Sequence, residues 1–322
     1  MLRTRLPGRS VGVCLSLIEG FPAVDSPRAA LSWRPLGRSD LPAVTDLALR
    51  CLSADGGQPY AADPGFVSQR YPRGGETCAA WDGARLVCVS SLRGLPPGAG
   101  DGQAAAVTTG LVHPEWRRLG VGGAAFDWAA GQAGGGRMSA ETEMLSDGAD
   151  ALYLRKGLSR VFAEDVMRLA GPARVAPPHA SDGLTISEWG QAGPARFYEV
   201  YQAAFRDRPG FPGWPQDRWV EWIGDDEDFR PSWTLLATLD GVDVGFIVAD
   251  AAGWIVQVGV VPAARGQDIG ARMIAAAVGR MRHAGHTTIT LNVSVNNPHA
   301  AALYARLGFA RTGGRARYLA MV

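Results

Sequence analysis

Hydrophobic positions along the chain switch between two periods, and each switch marks an element. Val258-Gly259-Val260-Val261 is an apolar, β-branched run closed by Pro262, and from Ile269 to about His283 Ala, Met and Ile recur at helical spacing. This stretch predicts a buried strand, a tight loop and a helix. A second apolar strand follows over Ile289 to Val295, then a helical run beginning at Asn297-Pro298. The same order occurs earlier: a strand over Ala104 to Val112, a helix over Gly122 to Gly131 broken by Ala133-Gly134-Gly135-Gly136, and a strand over Met138 to Met144. Asp82-Gly83 and Asp240-Gly241 each separate two apolar runs and predict hairpins.

The remaining elements fill out two parallel series. Leu31–Leu36 reads as a first strand and Leu41 to about Leu52 as a helix capped by Ser39 or Asp40. Gly56 to Gly75, rich in Gly and Pro, predicts a loop-rich wall, and Val161 to Leu169 the last strand of the first series. The second series restarts with a strand at Leu184–Trp189 and helices over Gly193–Phe205 and Pro215–Ile223. Arg117 to Arg265 and Tyr153 to Tyr304 are each separated by about 150 residues, one domain length. The expected organisation is an extension (1–30), a first domain (31–170), a Pro/Gly-rich linker (171–183) and a second domain (184–322).

The two loops carry the chemistry. The first amides of a helix have no partners within it and sit at the positive end of its dipole, so a strand–loop–helix of this kind suits a phosphate or diphosphate. Val112-His113-Pro114-Glu115-Trp116-Arg117-Arg118-Leu119-Gly120-Val121-Gly122 and Val260-Val261-Pro262-Ala263-Ala264-Arg265-Gly266-Gln267-Asp268-Ile269-Gly270 share the pattern V-x-P-x-x-R-x-x-[GD]-x-G. Asn297, Ala300, Leu303, Tyr304, Gly308 and Phe309 form a second pattern, which Ala149 to Leu158 echoes around Tyr153. Together these segments resemble the signature of the GNAT superfamily of N-acetyltransferases. Asp268 departs from it, standing where the family usually has glycine.

That resemblance implies an α/β fold of two tandem GNAT domains, each a mixed central sheet flanked by helices, with acetyl-CoA as cofactor. Carried over by position, Val258 and Val260 would face the pantetheine arm in a splay between two strands. Arg265, Gly266, Gln267, Asp268, Ile269 and Gly270 would cradle the diphosphate, with Asn297 anchoring the arm or the helix start. The first-domain counterparts are Gly110, Val112, Arg117, Arg118, Leu119, Gly120, Val121 and Gly122. Tyr304 would be the general acid for the departing thiolate, against a packing role, while Ser146 and Leu158 make Tyr153 the weaker counterpart. The Asp268 carboxylate either turns outward or weakens the second site.

Many family members carry a glutamate base six residues before the strand valine; here those places hold Trp254 and Ala106. The alternatives are water, or an acid among Asp225, Asp226, Glu227 and Asp228, which equally reads as a solvated loop. Gln257, polar in an apolar run, either orients the acceptor or is a satisfied core amide. Phe205, Phe211, Trp214, Trp219 and Trp222 suit either an amphipathic acceptor or the core.

Composition narrows this little further. A chain of 322 residues, 47% hydrophobic and without an apolar run near membrane-spanning length, predicts a globular, cytoplasmic protein. A net charge of +1 gives no field for nucleic acid. Cys14, Cys51, Cys78 and Cys88 lack metal-ligand spacing, and the histidines are scattered, so no metal is expected. The implied partner is a small-molecule amine, the protein acting as a monomer or homodimer. The rival readings are an acyltransferase modifying antibiotics or natural products and a non-catalytic acyl-CoA sensor.

Overall fold

The computed structural model describes residues 31–37, 39–72, 74–95, 104–171, 183–208 and 211–320. The expected N-terminal extension with Cys14, linker residues 172–182 and most of the Pro/Gly-rich loop before the first phosphate loop lie outside them. The chain divides into two compact units, one drawn from residues up to Ala48 and Pro64–Ser139, the other from Leu49–Asp63 and Ala140 onward. Among the described residues no helix is long and apolar enough to cross a membrane.

The first unit contains β1 (Ser32–Leu36), the start of α1 (Leu41–Asp55), α2 (Pro64–Arg70), β2 (Gly74–Asp82), β3 (Arg85–Gly94), β4 (Ala106–Val112) and α3 (Val121–Gln132). Neighbouring strands run antiparallel in the order β1-β2-β3-β4. Ala80, Val87 and Cys88 pack with Val121 and Ala125 of α3. Asp40 does close the turn before α1, by a different route from a side-chain cap: its carboxylate accepts from the Gly37 amide and the Arg34 guanidinium, while its carbonyl accepts from Val44. The stretch expected to be loop-rich instead holds a 3-10 turn, Pro59–Ala62, and α2. Each starts on proline, whose missing N–H costs nothing in a first turn.

The second unit contains β5 (Met138–Thr142, from Ala140), α4 (Asp147–Arg155), β6 (Leu158–Ala170), β7 (Leu184–Glu188), α5 (Trp189–Ala192), α6 (Pro194–Phe205) and α7 (Gln216–Gly224). It continues with β8 (Leu235–Leu239), β9 (Val242–Ala249), β10 (Trp254–Val260), α8 (Ile269–His283), β11 (Thr288–Ser294), α9 (Pro298–Arg306) and β12 (Ala310–Ala320). Strands run β12-β6-β11-β10-β9-β8-β7, with β10 and β11 parallel and the other neighbours antiparallel. The partners of β6, expected to end the first series, come from the second: it lies between β11 and β12.

Both faces of this sheet are covered. Leu235 and Ile247 pack under α8 with Ile269, Met273, Ile274 and Met281, whereas their neighbours Leu236 and Phe246 pack under α6 and α7 with Phe197, Tyr201 and Trp219. Strands buried on both sides therefore read as nearly continuous apolar runs. Each fully buried side chain of this size contributes roughly 1.5–3 kcal/mol. At the β8–β9 turn Asp240 (φ 49°) and Gly241 (φ 81°) are both left-handed, as a two-residue turn on twisted strands requires.

Candidate active site

Both predicted loops share one local construction. A 3-10 turn after the strand (Pro114–Trp116, Pro262–Ala264) leads to an arginine whose Nε donates to the carbonyl of the strand's last residue, Arg117 to Val112 and Arg265 to Val260, both at 3.2 Å. Arg265 also donates from Nη2 to the Ala204 carbonyl at the end of α6, 3.1 Å away. Two left-handed residues follow: Arg118 (φ 62°) and Gly120 (φ 81°) in one loop, Gly266 (φ 78°) and Asp268 (φ 54°) in the other. Alternating handedness turns successive amides toward a common concavity, an anion nest that the helix start extends. The Asp268 side chain is exposed and makes no capping bond to α8, leaving those amides to an external anion. Coenzyme A fits this loop, because its diphosphate needs main-chain donors in open space, and a Cβ at Gly266 or Gly120 would meet nothing within 4 Å.

The splay lies next to the second loop. Parallel pairing of β10 with β11 covers Trp254↔Thr290 and Ile255↔Leu291 and stops there, while β10 continues to pair with β9 through Val260↔Gly245. A bulge between Ile255 and Gln257 bends β10 at the parting point. The β11-facing edge of Gln257–Val260 is thus open for an extended arm, and Val258 and Val260 pack their side chains against the α8 core beside it. Gly259 is required on the other face. A Cβ there would come within 2.7 Å of the Phe246 ring and 3.0 Å of Ala204.

Tyr304 sits on α9, whose start Asn297 caps by accepting from the Ala300 amide at 3.2 Å. The tyrosine is buried, and burial pushes its phenol up to about 12, offset by the Arg208 charge and reinforced by Glu164. It therefore stays protonated at neutral pH, as a proton donor must. Tyr153 occupies the matching place on α4 and lies in tilted contact with Tyr318, ring centroids 4.8 Å apart and planes at 47°.

A charged network that sequence reasoning missed lies on the sheet near Tyr304. Arg315 on β12 donates to Glu164 on β6 (3.0 Å from Nε) and faces Glu143 at 3.6 Å; Arg208 meets Glu164 at 3.7 Å. Tyr60 donates to Glu143 at 3.3 Å and packs its ring near Trp254, centroids 6.1 Å apart. No periodicity in the sequence signals this, because the members come from five separated segments. Asp250 was missed likewise. It lines a small cavity with Trp222, Asp226, Phe229 and Val256, and burial raises its carboxyl to about 6 despite a hydrogen bond from the Trp254 amide.

The aromatics expected beside the acceptor pack mostly on one another. Tyr201 stacks on Trp219 at 4.7 Å, and Phe205, Phe211 and Trp214 join that cluster; Trp222 is 43% exposed. Asp225, Asp226, Glu227 and Asp228 are exposed around the end of α7. Among the described residues no group of three or more His, Cys, Asp or Glu is placed to hold a metal ion, and Cys51, Cys78 and Cys88 are buried core thiols.

A splayed sheet, an anion nest at a helix start and a buried tyrosine define an acyltransferase drawing on coenzyme A. The acetyltransferase (GNAT) family model matches residues 195–309. A mycothiol acetyltransferase of Gordonia bronchialis is 30% identical over 72% of this chain and 79% of its own. One from a Parafrankia species is 28% identical over 90% of this chain and 98% of its own. A solved tandem GNAT protein from the clavulanic acid biosynthesis pathway shares the fold at TM-score 0.56 and 20% identity, over 90% of this chain and 98% of that one. The chain belongs to the GNAT family of acetyltransferases, in tandem form, and its chemistry is acyl transfer from coenzyme A.

Proposed function

We propose that the second half of the chain, residues 184–322, moves an acetyl group from acetyl-CoA to the primary amine of a small molecule, while residues 31–170 form a second coenzyme A-binding domain. The open edge of β10 beside the Arg265–Gly270 nest is the observation that carries this reading. Acetyl-CoA supplies an activated thioester carbonyl. The amides of Gly266 to Gly270 hold its diphosphate, and Gln257–Val260 offer main-chain partners to its arm. Tyr304 donates its phenolic proton to the departing sulfur and then recovers one from the substrate nitrogen, so protons balance over the cycle. The relatives' name favours an acceptor related to mycothiol. A cytoplasmic setting and a monomer or homodimer go with this reading.

Trp254, in the place where many family members carry the glutamate base, favours a second reading, a non-catalytic acyl-CoA sensor. Calorimetry with coenzyme A on the full chain, followed by thiol release from acetyl-CoA across a panel of primary amines, separates the two. Binding with turnover supports the enzyme, binding without turnover for any amine supports the sensor, and no binding removes both.

A further inference from the structure

Glu164 lies on β6 opposite Ser294 of β11, three residues past Leu291, where β10 and β11 stop pairing. It therefore stands one strand, about 5 Å, from the open edge. Met167 and Leu169 of β6 pack in the α8 core, and alternation turns Glu164 to the opposite face, where Arg208 reaches it from the end of α6. Arg315 holds Glu164 Oε2 from both Nε (3.0 Å) and Nη2 (2.9 Å). Among the described residues nothing donates a hydrogen bond to Oε1: it meets only Arg208 Nη2, at 3.7 Å, and it is not sealed from solvent. The Arg208 side chain is 50% exposed, and its guanidinium lies over the Phe205 ring, 5.9 Å from the centroid. An exposed ion pair at that separation is weak, so a ligand displaces it readily.

Resting on the reading above, we propose that Glu164 is the base of this chain: the acceptor's ammonium displaces Arg208 from Oε1, gives it one proton and attacks the thioester as a neutral amine. An N–H bond breaks toward Oε1, and the freed lone pair forms the bond to the thioester carbon. Tyr304 serves the departing sulfur as above, and Glu164 returns its proton to solvent along its exposed side, one per turnover. Trp254, in the place of the family's glutamate, cannot do this, since an indole N–H only donates. Charge fits a single ammonium. Facing Glu164 are Arg315 from β12 and Arg208 from the end of α6, with Glu143 at 3.6 Å from Arg315, Tyr60 on Glu143, and the Tyr304 phenol, which feels both Glu164 and Arg208. Arg317, already facing Glu141 at 3.7 Å, and Arg168 lie farther along the same face, about 7 Å and 13 Å away by strand position. Once Arg208 withdraws onto Phe205, two carboxylates face one guanidinium, an excess of one negative charge. The chain's own cation thus holds the place of the substrate's.

The test uses the full chain with ethanolamine, benzylamine and 2-phenylethylamine, reading acetylated product and coenzyme A thiol from about pH 6.5 to about pH 8.5, where these amines are mostly ammonium. In wild type kcat/KM for the amine should stay within about twofold over that range, because the charged form binds. In Glu164→Gln it should climb about tenfold per pH unit, because only the neutral fraction reacts, with the amine KM near neutral pH raised about tenfold and the KM for acetyl-CoA unchanged. Arg208→Gln frees Oε1 and should lower the amine KM about threefold, which a purely structural ion pair would not do. If Glu164→Gln folds and binds coenzyme A yet keeps the wild-type pH profile and an amine KM within about twofold, the inference is overturned while the enzyme reading stands. Should that variant fail to fold, an amine KM that stays level or rises in Arg208→Gln overturns it instead. Wild type that binds coenzyme A but acetylates none of these amines overturns both.

Discussion

The Arg117–Gly122 and Arg265–Gly270 loops reach the same backbone with glycine in exchanged places. Each has two left-handed places and fills one of them with glycine: the first loop puts Arg at the earlier place and Gly at the later, the second Gly and then Asp. A side chain in that conformation costs roughly 1–2 kcal/mol, less for Asp, so both loops tolerate one strained residue and remain nests. What the exchange changes is charge. Arg118 adds a cation to its loop where Asp268 adds an anion, and on this count alone the first loop is expected to hold a diphosphate better. The tyrosines differ as well: both are buried, but Tyr304 feels the Arg208 and Glu164 charges while Tyr153 lies in tilted ring contact with Tyr318.

This contrast breaks first at the tyrosines. Tyr304→Phe should cut kcat by about 100-fold or more with the KM for acetyl-CoA nearly unchanged, whereas Tyr153→Phe should do little; steady-state kinetics on both decides, and equal effects would erase the distinction. A smaller effect is expected at Gly259, where the first half carries Leu111. Gly259→Ala should destabilise by about 2 kcal/mol in urea melts, since its Cβ would strike Phe246 and Ala204, and unchanged stability would mean that α6 is free to shift.

The loops themselves are sharpened by exchange. Asp268→Gly should tighten coenzyme A binding about fivefold in low salt by removing ~1 kcal/mol of screened repulsion, and Gly120→Asp should weaken it by a similar factor; calorimetry at two ionic strengths checks both. The smallest effect concerns Asp250 of the second half. Its carboxyl is raised to about 6, mainly by burial and further by Asp226 and Asp228, so the fold prefers it protonated: that stability is fully present below the ordinary carboxylate value and is lost as pH rises through 6. Asp250→Asn should therefore gain on the order of 1 kcal/mol over wild type at pH 8 and nothing at pH 3.5, read from denaturant midpoints. A gain independent of pH would deny the carboxylate its buried setting.

Much of the site was legible because it is local. Pro262 stops a strand, Ile269 opens a helical run and Asn297 caps another, and each outcome depends on residues within a few positions. Short-range preferences failed where they were averaged: Gly56 to Gly75 reads as loop by composition, yet prolines at its helix starts let two short helices form. Gln257 stands out in the sequence as a polar residue in an apolar run, but that its Oε1 is buried without a hydrogen-bond partner is visible only in the folded chain.

By itself the sequence determined the strand order along the chain, both strand–loop–helix turns and the tyrosine on the last helix, because period, turn chemistry and capping act between near neighbours. Only the tertiary structure decided that β6 pairs with β11 and β12, that β10 and β11 part after two residue pairs, and that the aromatics fill a core rather than line a cleft. Those outcomes depend on which surfaces exclude water together, a property of segments far apart in the chain that no short window of the sequence contains.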